Sequence, residues 1–226
     1  MCFSAEASFT GAAVISAAGV AALALVKDKR EIPFAALPLL FGIHQALEGL
    51  TWVELDGMDS GRLTGFGVHS WVMFAWAFLP AYVPWAVWLI EDDPRRKRWM
   101  RGLMVVGGLL ALFMAVQALQ PEIGVSVVND QLDYQMGIGV PAALLALPYV
   151  AATCVTPVLS SHRWVRAFGV ANFLAMTAAA IIEAKDYSSI WCTFAAFLSL
   201  MILGHYAEQR RLRNRSGSPT PQLSGA

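Results

Sequence analysis

The chain has 226 residues, of which 57% are hydrophobic and only 14% charged, and sixteen acidic residues balance sixteen basic ones. Soluble domains carry about 25% charge, so the composition excludes an ordinary soluble globule and points to a multi-pass membrane protein. A nucleic-acid-binding domain is also excluded, because the basic clusters flank apolar runs, as topology signals do, and belong to no soluble domain.

A spanning helix needs about 20 mostly apolar residues. Charge-free or nearly charge-free runs predict seven, over about 7–26, 33–53, 66–90, 101–119, 140–159, 166–184 and 188–206. The expected fold is therefore all-α, a seven-transmembrane-helix bundle over 1–206. A disordered cytoplasmic tail over 207–226 is expected to follow, basic at first and then rich in Ser, Pro and Gly. The start, MCFSAEASF, lacks the basic segment of a cleavable signal peptide, and its apolar run is long enough to remain as a helix. Fourteen of the sixteen Lys and Arg residues follow the first, third, fifth and seventh spans; only Arg62 and Lys185 lie on the other side. Cytoplasmic loops collect such residues, which predicts an outside N-terminus, a cytoplasmic C-terminus and an odd number of spans.

Ala, Gly and Ser dominate the first span (Gly11, Ala12, Ser16, Gly19, Ala22), a composition that permits close helix contact. The second, PFAALPLLFGIHQALEGLTWV, carries His44, Gln45 and Glu48 in its second half; Gly42, Ala46 and Gly49 lie beside them and mark it as internal. A short acidic outer loop, 54–62, leads to an aromatic-rich third span. There Pro80 and Pro84 predict a kink, and Trp85 and Trp88, with Trp99, predict an interfacial belt. Gly107, Gly108, Ala111 and Ala115 suit close packing of the fourth span. In the outer loop 121–139 the alternation of Ile123, Val125, Val127 and of Leu132, Tyr134, Met136 about Asn129-Asp130 predicts a small β-hairpin, either a lid or a plain surface loop. Pro141, Pro148 and Pro157 make the fifth span irregular, and the seventh opens with Trp191-Cys192 and closes with His205.

In depth, the polar residues share one level. Glu48 lies roughly 7 Å from the outer end of its span and His44 one turn deeper. His69, Gln117, Gln120, Glu183, Cys192, Cys2 and Glu6 fall at or near the outer boundary. A charge near the bilayer centre costs roughly 3 kcal/mol, so Glu48 stands out, whereas Glu6, Gln120, Glu183 and Lys185 are also explained as interface markers. His44 and Glu48, four apart, share a helix face. Three chemistries suit them: a proton relay or ion path, a zinc site from His44, Glu48 and His69 with water as fourth ligand, or a buried network that fixes helix register. Cys2 and Cys192 both lie outside in this topology, where a disulfide is open to them.

The segments MCFSAEASF, PLLFGIHQALEG and IWCTFAAFLS resemble an uncharacterised family of bacterial multi-pass membrane proteins that begin with MCFSAEASF. The resemblance covers most of the chain to about residue 210. It implies a bacterial cytoplasmic-membrane location and assigns Cys2, Glu6, Gln45, Glu48, Trp191 and Cys192 to family-like motifs, without an activity. Two better-known seven-helix groups do not fit. The seventh span has no lysine for retinal, and it lacks the H-x-x-x-H of ceramidase-like zinc hydrolases, holding only His205. The expected function is binding or conduction of a small solute, ion or lipid through an outer pocket centred on Glu48. The alternatives are a membrane-embedded metal-dependent hydrolase using His44, Glu48 and His69, and a structural or assembly partner without a site. Membrane lipids are the expected partners; no nucleic acid is.

Overall fold

A computed structural model describes residues 4–57, 60–182 and 187–216. Helix α1 (Ala5–Leu25) starts at Ser4, whose hydroxyl accepts from the Ala7 N–H. It buries the face formed by Ser8, Gly11, Ala12, Ile15, Gly19 and Ala22. A capping box of Asp28 and Glu31 turns the chain into α2 (Ile32–Ala35) and α3 (Leu37–Glu54). The small residues let α1 and α3 touch backbone to backbone. A Cβ at Gly19 would come within 2.3 Å of the Leu39 nitrogen, and one at Gly42 within 2.1 Å of the Ser16 hydroxyl. The close contact expected of the first span is thus made with α3.

Next come β1 (Ser60–Leu63) and a continuous helical rod of α4 (Phe66–Val72), a π-helical stretch Met73–Phe78, and α5 (Leu79–Ile90). The sequence predicts a kink from Pro80 and Pro84; the structure answers with wider π turns. Leu79 donates back five residues to the Phe74 carbonyl, a register in which Ala75 would need the N–H that Pro80 lacks. The Tyr149 hydroxyl takes that place, donating to the Ala75 carbonyl at 2.5 Å. Pro84 in turn leaves the Pro80 carbonyl without its helical donor, and α6 (Pro94–Ala118) passes so close that a Cβ at Gly107 would lie 2.0 Å from that oxygen.

The loop 121–139 forms β2 (Ile123–Val128) and β3 (Gln131–Gln135), paired antiparallel from Val128–Gln131 to Gly124–Gln135. Asn129 and Asp130 both have positive φ, 51° and 60°, the backbone that a two-residue hairpin turn needs. The predicted hairpin gains a third strand: β1 pairs with β2, Leu63 opposite Ile123, giving the order β1-β2-β3. Beyond it lie α7 (Ala142–Val150), a π turn Ala151–Val155, α8 (Thr156–Val158), α9 (Arg163–Ile182), α10 (Tyr187–Leu198) and α11 (Leu200–Ser216). The irregularity expected of 140–159 is that π turn, held between Pro148 and Pro157.

Among the described residues four helices are long and apolar enough to cross a membrane: Ala5–Leu25, Phe66–Ile90, Pro94–Ala118 and Arg163–Ile181. The expected seven therefore become four such helices and three shorter or broken ones. Pro38 interrupts 33–53, prolines interrupt 140–159, and 188–206 breaks at Ser199, whose hydroxyl donates to the Ala196 carbonyl. The helix α11 runs ten residues into the expected tail; 217–226 lie outside the described residues.

Opposite the sheet, one carboxylate fastens two loops. Glu91 is fully buried and accepts from the Asp92 and Asp93 N–H groups at 3.1 and 3.0 Å, and from the Ser161 N–H and hydroxyl, both at 2.7 Å. Burial pushes its acidity constant up, but the Ser161 and Asp93 hydrogen bonds outweigh it and hold the carboxyl below the ordinary 4.5. A depressed folded value means that the anion stabilises the fold above the unfolded value, and that this is lost as pH falls through the folded one. Glu91→Gln is expected to cost about 2 kcal/mol at neutral pH. Thermal melts of the two proteins should converge as the pH is taken below 4.5; a gap that stays constant into acid contradicts this.

Candidate functional site

Helix α3 carries the polar cluster. His44, Gln45 and Glu48 have no exposed surface at all. One turn of helix separates Gln45 from Glu48, and the Gln45 amide Nε2 donates to Glu48 Oε2 at 3.2 Å. The sequence pairs His44 with Glu48; the described hydrogen bond runs from Gln45 instead. His44 is held by rings. Its imidazole stacks on Phe74 with centroids 4.7 Å apart and lies 5.0 Å from Trp71 on the other side. Trp71 is itself covered by Tyr134 of β3, at 3.8 Å and nearly parallel. The sheet therefore roofs the cluster through a Tyr134–Trp71–His44–Phe74 stack.

The hydrogen-bond ledger of this region does not close. Neither ring nitrogen of His44 has a partner among the described residues, nor has Gln45 Oε1, and the indole N–H groups of Trp52 and Trp71 are in the same state. A buried polar atom left unmet costs about 1–3 kcal/mol, so several such atoms are expensive unless something else meets them.

Residues 1–217 match the model of a family of unknown function, DUF6629. The chain belongs to that family. No curated protein and no solved structure matches the DUF6629 chain.

His69 of the DUF6629 chain has Nδ1 3.0 Å from the Gly65 carbonyl and Nε2 2.9 Å from the Gln120 carbonyl. The Gln120 amide donates to the Met136 carbonyl at 2.7 Å. These two side chains fasten the sheet's connections to α4 and α6. His69 is thus occupied by backbone, and among the described residues no three His, Cys, Asp or Glu side chains gather as metal ligands. The zinc set of His44, Glu48 and His69 is not brought together, because His44 is sealed between aromatic rings while His69 turns to two carbonyls. Gln117 is half-buried on α6, and Glu6 is exposed in the first turn of α1. Cys2 and Glu183 lie outside the described residues, and with Cys2 the expected disulfide to Cys192.

Cys192 is buried on α10 beside Trp191, whose indole donates to Asn172 Oδ1 at 2.8 Å and ties α10 to α9. Both line two small, mostly apolar cavities of about 30 and 20 Å³. Cavities of that size hold a water molecule or two. Sequence reasoning missed Trp71, Phe74 and Tyr134, the rings that seal His44. Their aromatic character was plain, but nothing in the spacing assigns them to a residue 27 or more positions away.

Proposed function

We propose that this DUF6629 protein is a multi-pass integral membrane protein that binds or passes a small solute or ion at a polar cluster centred on Glu48. Its N-terminus lies outside and its C-terminus in the cytoplasm, as the placing of Lys and Arg requires. The broken helices α2–α3, α7–α8 and α10–α11 complete seven passes; α2 through α3 alone extends roughly 34 Å by helical rise. Discontinuous helices at membrane depth are tolerated where they line a site or are covered by protein.

One observation carries this reading. Three polar residues of α3, His44, Gln45 and Glu48, are entirely buried, yet His44 and Gln45 present hydrogen-bonding atoms that nothing in the described protein meets. Glu48 favours a cation, the proton being the smallest. In detergent, the melting temperature of the wild type should rise by on the order of 5 °C with one of sodium, potassium, ammonium or a pH step. Glu48→Gln should keep its helical circular dichroism and lose that response. A wild type indifferent to all four overturns the proposal.

A further inference from the structure

The largest cavity described, about 490 Å³, lies between the start of α9 and the middle of α11. Its walls are Arg163 and Trp164 on one side and Glu208, Arg211 and Leu212 on the other. Arg163 and Trp164 open a helix apolar enough to span a membrane. On the membrane reading above, which this inference rests on, they stand at headgroup depth on the basic end of the bundle.

The side chains divide the work. Glu208 grips the Arg163 guanidinium through two donors and also accepts from the Trp164 indole N–H. Arg163 is thereby fixed beside its neighbour's ring, 5.8 Å from the Trp164 centroid. Arg211 makes no hydrogen bond or ion pair among the described residues, and its side chain is exposed at the rim. Leu212, 55% exposed, and the Trp164 ring supply apolar surface next to the charges. Two guanidinium groups against one carboxylate leave the cavity a net cation, and the single negative group is already engaged by Arg163. A phosphate suits the unpaired guanidinium. The adjoining apolar surface suits what a lipid phosphate carries and a free phosphate lacks: a glycerol backbone and the first methylenes of an acyl chain.

We infer that the cavity between α9 and α11 is a binding site for the headgroup of an anionic phospholipid of the inner leaflet, with Arg211 and Arg163 on the phosphate and Trp164 and Leu212 against the glycerol. Basic pockets between helices on the cytoplasmic side take such headgroups.

The test uses the whole chain in neutral detergent, with short-chain phosphatidylglycerol, short-chain phosphatidylcholine and inorganic phosphate as probes. Bound lipid is read by native mass spectrometry. Phosphatidylglycerol should bind in preference to phosphatidylcholine, and Arg211→Gln should weaken it about fivefold, the worth of one basic residue at an anionic surface. Arg98→Gln, an exposed arginine of α6 away from the cavity, should leave binding unchanged. Equal losses in both variants, equal binding of the two lipids, or competition by inorganic phosphate as strong as by phosphatidylglycerol overturns the site. A chain that stays soluble and monomeric without detergent would instead overturn the membrane reading beneath it.

Discussion

Gly19→Ala is expected to push α1 off α3 and lower stability by about 3 kcal/mol, a fall of roughly 6–12 °C in melting temperature for a chain of this length. The reason is that the new Cβ meets backbone: the Leu39 nitrogen at 2.3 Å and the Leu39 Cα at 2.6 Å. A flexible side chain can move aside, but a helix backbone moves only with its helix. Gly108→Ala on α6 is the matched control, since a Cβ there meets nothing within 4 Å. It should gain up to about 1 kcal/mol, because alanine is the better helix former. The site depends on this contact, as α1 covers the face of α3 that carries Gly42 and Gly49, one turn on either side of Gln45. Melts in which Gly19→Ala matches Gly108→Ala would show that the two helices are not packed this way.

The second large effect is a pair of opposite signs at His44. His44→Phe keeps a ring between Phe74 and Trp71 and removes two nitrogens that the described protein leaves unmet. It should stabilise the protein by about 2 kcal/mol while abolishing the cation response assigned to the cluster. His44→Ala opens a hole in the same stack and should cost about 3 kcal/mol. Gain of stability with loss of function is the mark of a residue retained for what it binds. A phenylalanine variant that keeps the cation response would reduce His44 to a packing ring.

Much of the frame was legible because the signals are local. The Ala, Gly and Ser pattern of residues 11–22 announced a close helix contact, and period-two alternation about Asn129-Asp130 announced the hairpin. The polar residues within the second apolar run singled out His44, Gln45 and Glu48, which the structure buries completely. What escaped is non-local. Strand β1 is four residues long, SGRL, with no apolar alternation, and its partner lies some sixty positions on. The prolines predicted irregular helices but not their form, since whether a helix kinks or widens depends on what meets the freed carbonyl: here Tyr149 at Ala75 and Gly107 at Pro80. No local pattern marks Glu91, which Ser161, seventy positions away, makes a buried lock. His69 read as a ligand, and two backbone carbonyls that no pattern could reveal claim its ring.

The most direct test of the central claim is a high-resolution cryo-electron-microscopy map of the protein in a lipid nanodisc, read around α3. The account predicts Glu48 and Gln45 turned away from lipid, and a discrete peak that is not protein within hydrogen-bonding reach of a His44 nitrogen or Gln45 Oε1. His44 and Gln45 fully satisfied by protein atoms, or Glu48 facing the acyl chains, would contradict it.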